Sequence, residues 1–132
     1  MSPSAELRST SILFVAALEA EKRGLFEHSE TIFARASRLN QKSGNALSGE
    51  FASMLLQFAE HCADSGRLEK AEALYREALS VLTTSRGADH LSTALTMRAL
   101  ADICRKEGKI SEASELTNKA RLVFAQLKQT GN

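Results

Sequence analysis

A chain of 132 residues, with 17 Lys and Arg against 16 Asp and Glu, carries a formal charge of +1. That balance argues against a dedicated nucleic-acid binder, which concentrates a basic excess on one face. Its two cysteines, Cys62 and Cys104, form no CxxC or Cys/His cluster, which argues against a zinc site.

Taken in chain order, the apolar periodicity predicts helices near 4–23, 25–42, 47–65, 67–85, 90–107 and 109–128. The one proline, Pro3, leaves the rest free for uninterrupted helices. The first helix holds the run Ile12–Leu18 (ILFVAAL), which has the length of a signal-peptide core. Glu6 in its flank, and Glu19 and Glu21 just after it, argue against that role. No stretch reaches the roughly 20 apolar residues that cross a bilayer, so a soluble, cytoplasmic protein with no membrane partner is expected. Along the third helix Leu55, Phe58, Ala59 and Cys62 share one stripe; along the fourth, Leu68, Ala71, Leu74, Tyr75, Ala78, Leu79 and Leu82 share another. Asp89 is placed to cap the fifth helix, its carboxylate accepting from the first-turn N–H groups.

The six helices fall into three pairs. Gly24, Gly66 and Gly108 are spaced 42 residues apart, and each is followed two residues later by Phe26, Leu68 or Ile110. The same offset matches Ala52 with Ala94, Ala59 with Ala101, Cys62 with Cys104, Ala71 with Ala113, Leu74 with Leu116, Ala78 with Ala120 and Val81 with Val123. The first unit keeps Leu13, Ala17, Phe33 and Ala36 at corresponding places. Every match is small or apolar, as a core that repeats requires. The expectation is an all-α fold, an α-solenoid of three antiparallel helix pairs. It forms one domain over 1–132, with repeats at about 10–51, 52–93 and 94–132.

The order of large residue, small residue, turn glycine, apolar, alanine, aromatic, alanine appears as Leu55, Phe58-Ala59, Gly66, Leu68, Ala71, Tyr75, Ala78. It resembles the tetratricopeptide repeat. Unit three reads Met97, Leu100-Ala101, Gly108, Ile110, Ala113, Thr117, Ala120; unit one departs at Ser29, where the turn-side alanine would stand. The long period and the loop Gly87-Ala88-Asp89-His90 are similar to the kinesin light chain type, with Leu91 where that type has proline. The resemblance implies a right-handed superhelix, first helices lining a concave groove, and protein–protein binding. It also implies that His90 orders the loop between repeats.

First-helix residues off the packing stripe are then expected in the groove: Phe14 and Leu18 in unit one, Leu56, Gln57 and Glu60 in unit two, Arg98, Arg105 and Lys106 in unit three. Asp64 and Asp102 join them, so the groove runs from apolar through acidic to mainly basic. An exposed apolar patch of this kind marks an interaction site. Alternatively, Phe14 and Leu18 turn into the core. The partner is expected to be a peptide or helix of another protein, or a second copy of the chain. A regulatory domain acting on an enzyme or transcription factor is the further alternative. Catalysis is not expected, since no phosphate loop, G-x-S-x-G or H-E-x-x-H occurs, and His28, His61 and His90 are scattered; no cofactor or metal is implied. Both cysteines are expected as buried thiols, because packed helices lie farther apart than a disulfide spans. Thr117 and Arg121, where unit two has Tyr75 and Leu79, are expected to keep the last helix soluble as a terminal repeat.

Overall fold

The computed structural model describes residues 3–42 and 48–131. They form six helices: α1 (Pro3–Lys22), α2 (Phe26–Lys42), α3 (Ser48–Asp64), α4 (Leu68–Arg86), α5 (Leu91–Lys106) and α6 (Ile110–Gly131). Among the described residues there is no strand. The architecture is an all-α helical-repeat solenoid of paired helices. The expected start of α3 at residue 47 lies outside the described residues.

The repeat is written in backbone geometry. Gly24, Gly66 and Gly108 have φ of 77°, 81° and 81°, the left-handed region that a Cβ disfavours. At each, two carbonyls of the ending helix are satisfied in the same way. Gly66 N–H donates to Ala63 O at 3.1 Å and Arg67 N–H to Cys62 O at 2.8 Å. Lys109 N–H donates to Cys104 O at 2.8 Å and Leu25 N–H to Ala20 O at 2.9 Å. This is the glycine-terminated helix end that reverses a chain.

The chain divides into two compact units, Met1–Met54 and Leu55–Asn132. In the first, α1 packs on α2. Its core is aromatic: the Phe14 ring meets Phe33 edge-on at 5.3 Å and Phe51 at 5.6 Å between centroids. Phe14 is only 5% exposed, which corrects its expected place in a groove. The reason lies in α1, where Thr10, Phe14, Ala17 and Glu21 follow a four-three-four spacing and are all buried as one stripe.

In the second unit α5 packs on both α4 and α6. The matched small and apolar positions are the core: Leu55, Phe58, Ala59 and Cys62 on α3, Ala71, Leu74 and Ala78 on α4, Ala94 and Ala101 on α5. Ala94, Ala120 and Val123 form a cluster with Met97, Phe124 and Leu127 against it. The alanines let helix axes approach, and the larger side chains fill between them. Cys62 and Cys104 are buried thiols, as expected.

Two local expectations are corrected. The cap of α5 is His90, whose extended backbone lets Nδ1 accept from Ser92 N–H at 3.0 Å; Asp89 is exposed. The last helix, expected to end near residue 128, runs on through Gln129 to Gly131. Its tail, AQLKQ, is made of good helix formers.

Candidate functional site

Within the second unit, α3 and α5 present the residues left off the core stripe. On α3, Gln57, Glu60 and Asp64 are exposed and Leu56 is half-buried. On α5, Leu95 is 43% exposed, and Arg98, Asp102, Arg105 and Lys106 are exposed. The alternation follows from helical geometry. Once Ala59, Cys62, Ala101 and Cys104 face inward, Gln57, Glu60, Asp64, Arg98, Asp102, Arg105 and Lys106 fall on the outward side of their helices.

Tyr75 on α4 shows where the charges converge. Burial pushes its phenol up, and the carboxylates of Glu60, Asp64 and Asp102 push it further. Carboxylates of α3 and α5 thus act through charge on one buried phenol. Glu60 and Asp102 lie 42 residues apart, so the same repeat position supplies both. That was visible in the sequence. Their effect on Tyr75 was not, because its aromatic ring reads as a packing residue.

The basic residues behave differently. Arg98 lies over the Phe124 ring of α6, 5.4 Å from its centroid. Arg105 bonds Asp102 at 2.6 Å and the Thr117 hydroxyl of α6 at 3.1 Å. Both guanidinium groups thus reach towards α6, Arg98 in a cation–π contact with an aromatic ring and Arg105 to a hydroxyl. Lys106 remains exposed. Of the expected site residues on α3, Gln57 and Glu60 are exposed and Leu56 is half-buried. On α5, Arg98 and Arg105 lie on the α6 side. Phe14 is core, and Leu18 is half-buried on α1 in the other unit.

Other chemistry is sparse. Among the described residues no group of three or more His, Cys, Asp or Glu is placed to hold a metal ion. The Cys104 thiol is pushed up by burial and then by Glu112, which disfavours the nucleophilic thiolate. Among the described residues no helix is long and apolar enough to cross a membrane.

Residues 50–121 match the Tetratricopeptide repeat family. No curated protein matches the chain. Tetratricopeptide repeats generally mediate protein–protein interaction and are typically non-catalytic scaffolds. The matched stretch covers α3 to α6 up to Arg121, more than half of the chain, and the chain belongs to the tetratricopeptide repeat family.

Proposed function

We propose that the protein is a non-catalytic interaction scaffold, and that a peptide or helix of a partner lies along α3 and α5 in the second unit. The observation that carries this reading is that α3 and α5 leave the acidic Glu60, Asp64 and Asp102 and the apolar Leu95 exposed, the three carboxylates raising the Tyr75 phenol through charge. Such a surface selects a segment with a basic side chain for the carboxylates and an apolar one for Leu56 and Leu95. Charge sets register and encounter, while apolar burial supplies affinity. The period and the Gly87–His90 loop support the kinesin light chain type of repeat, with Gly87 at φ 98° and His90 capping α5. The buried thiols of Cys62 and Cys104 support a cytoplasmic setting.

The test is affinity capture from a lysate with the intact chain, followed by mass spectrometry and a direct binding titration. Glu60→Lys with Asp102→Lys is expected to weaken the captured partner about tenfold or more while helicity is unchanged. Added salt should weaken the parent interaction. A partner that binds the doubly substituted protein as tightly as the parent would remove this surface from consideration.

A further inference from the structure

Helix α1 carries seven consecutive apolar residues, Ile12–Leu18, and so has no polar face in its middle. Packing on α2 buries Phe14 and Ala17. Ile12 and Val15 stay 68% and 64% exposed, with Ala16 exposed beside them. The same positions two repeats later, on α5, show what such a face does when it is covered. Ile12, Ala16 and Glu19 correspond to Thr96, Leu100 and Ile103, all buried on α5, a helix that packs on both α4 and α6.

The exposed residues form a seam. Arg8, Ile12, Val15, Glu19 and Lys22 follow a four-three-four-three spacing, the pattern by which one helix meets another along its length. Its apolar centre is flanked by exposed Arg8 on one side and exposed Glu19 on the other. Arg8 and Glu19 are equidistant from the midpoint between residues 13 and 14, as are Ile12 and Val15. A two-fold axis there, with a second α1 running antiparallel, sets Ile12 against Val15 of the second copy. It also sets Arg8 against Glu19 of the second copy, and the reverse. A parallel arrangement would set arginine on arginine and glutamate on glutamate. Among the described residues Glu19 pairs with Lys22 at 3.9 Å, both half-exposed, a contact that competes weakly.

We propose that α1 is a self-association surface and that a second copy of this chain covers it, antiparallel, about a two-fold axis. The surface is self-complementary in charge, as a two-fold interface must be. One helix pair buries less than the roughly 1,600 Å² of a standard interface, so the dimer is weak and concentration-dependent. It uses none of the α3 and α5 residues assigned to partner binding, so either surface stands if the other fails.

Sedimentation equilibrium over a concentration series tests it, on the full chain with helicity checked by circular dichroism. The parent protein is expected to pass from monomer to dimer. Arg8→Glu alone, or Glu19→Arg alone, should weaken the dimer about tenfold or more, because each change enters a symmetric interface twice. Combining the two exchanges the pair, and should restore dimerisation to near the parent value. Ile12→Ser should weaken it whatever the charges. A parent protein that stays monomeric across the series would overturn the proposal. So would a charge-swapped variant as weak as the single changes, or an Ile12→Ser variant that dimerises like the parent.

Discussion

Ser29 and Thr10 mark where the first unit departs chemically from the other two. Ser29 stands where the repeat has Ala71 and Ala113, and Thr10 where it has Ala52 and Ala94. Both are fully buried, and among the described residues neither hydroxyl has a hydrogen-bond partner. A buried hydroxyl that gives up water without replacing its bonds costs about 1–3 kcal/mol. Ser29→Ala removes that cost and restores the repeat's own residue, with only one heavy atom lost. It is expected to raise the unfolding free energy by about 1 kcal/mol, read from the midpoint of a urea titration. A lower midpoint would mean the Ser29 oxygen is satisfied in solution. Thr10→Ala should gain less, because it also removes a buried methyl group. The residue scale is where sequence reasoning failed most, and Phe14 shows why. It aligns with Leu56 and Arg98, which lie half-buried and exposed on their helices. Repeat alignment carries a position from unit to unit only when the neighbours match. Phe33 and Phe51 give Phe14 an aromatic pocket in the first unit, and the buried stripe of α1 turns to fill it.

Helix ends were the most legible elements, because a left-handed glycine is dictated by backbone sterics alone. Adding a Cβ at Gly24, Gly66 or Gly108 would meet nothing within 4 Å, so backbone conformation and not crowding selects glycine there. The start of α5 was less legible, since two adjacent residues, Asp89 and His90, can each cap a helix. The loop decides between them. Gly87 N–H donates to Leu82 O at 3.2 Å and the Thr93 hydroxyl to Gly87 O at 2.9 Å, which fixes the loop's length. His90, one residue before α5, then has the extended backbone a cap needs. His90→Ala should cost about 1 kcal/mol of stability, and His90→Asn should recover most of that. Urea titrations of both variants would check it. Equal losses for alanine and asparagine would mean that the imidazole packs and does not cap. The candidate surface was legible to the same degree as its elements. Gln57, Glu60 and Asp102 follow from helical period, but the direction of Arg98 and Arg105 depends on Phe124 and Thr117 across the helix pair. No local pattern encodes that.

Stability of the folded chain against pH depends on a charged network joining α4 to the α5–α6 turn. Lys109 Nζ lies 2.7 Å from Glu72, whose other oxygen accepts from Arg76 Nε at 2.7 Å; Arg76 also binds Glu112 on α6. The Lys109 bond, with Glu107 and Arg76 adding to it against the effect of burial, holds the Glu72 carboxyl at about 2, below its ordinary 4.5. Folding therefore gains from ionised Glu72 above pH 4.5, and that gain is lost as pH falls from 4.5 through about 2. Glu107 works in the opposite sense. Burial and the adjacent Glu72 push it up, so its ionisation costs stability at neutral pH and protonation relieves the cost. Stability should accordingly rise from neutral to mildly acidic pH, peak above 4.5, and fall below it. Urea titrations across pH should show this profile in the parent protein. Glu72→Gln should lower stability at pH 7 by about 1–3 kcal/mol and flatten the acid limb. Glu107→Gln should raise stability at pH 7 and flatten the neutral limb, because an amide beside Glu72 donates a hydrogen bond where a carboxylate repels. An acid limb unchanged in Glu72→Gln would place the acid sensitivity elsewhere and reduce this network to a surface ornament of the α4–α6 seam.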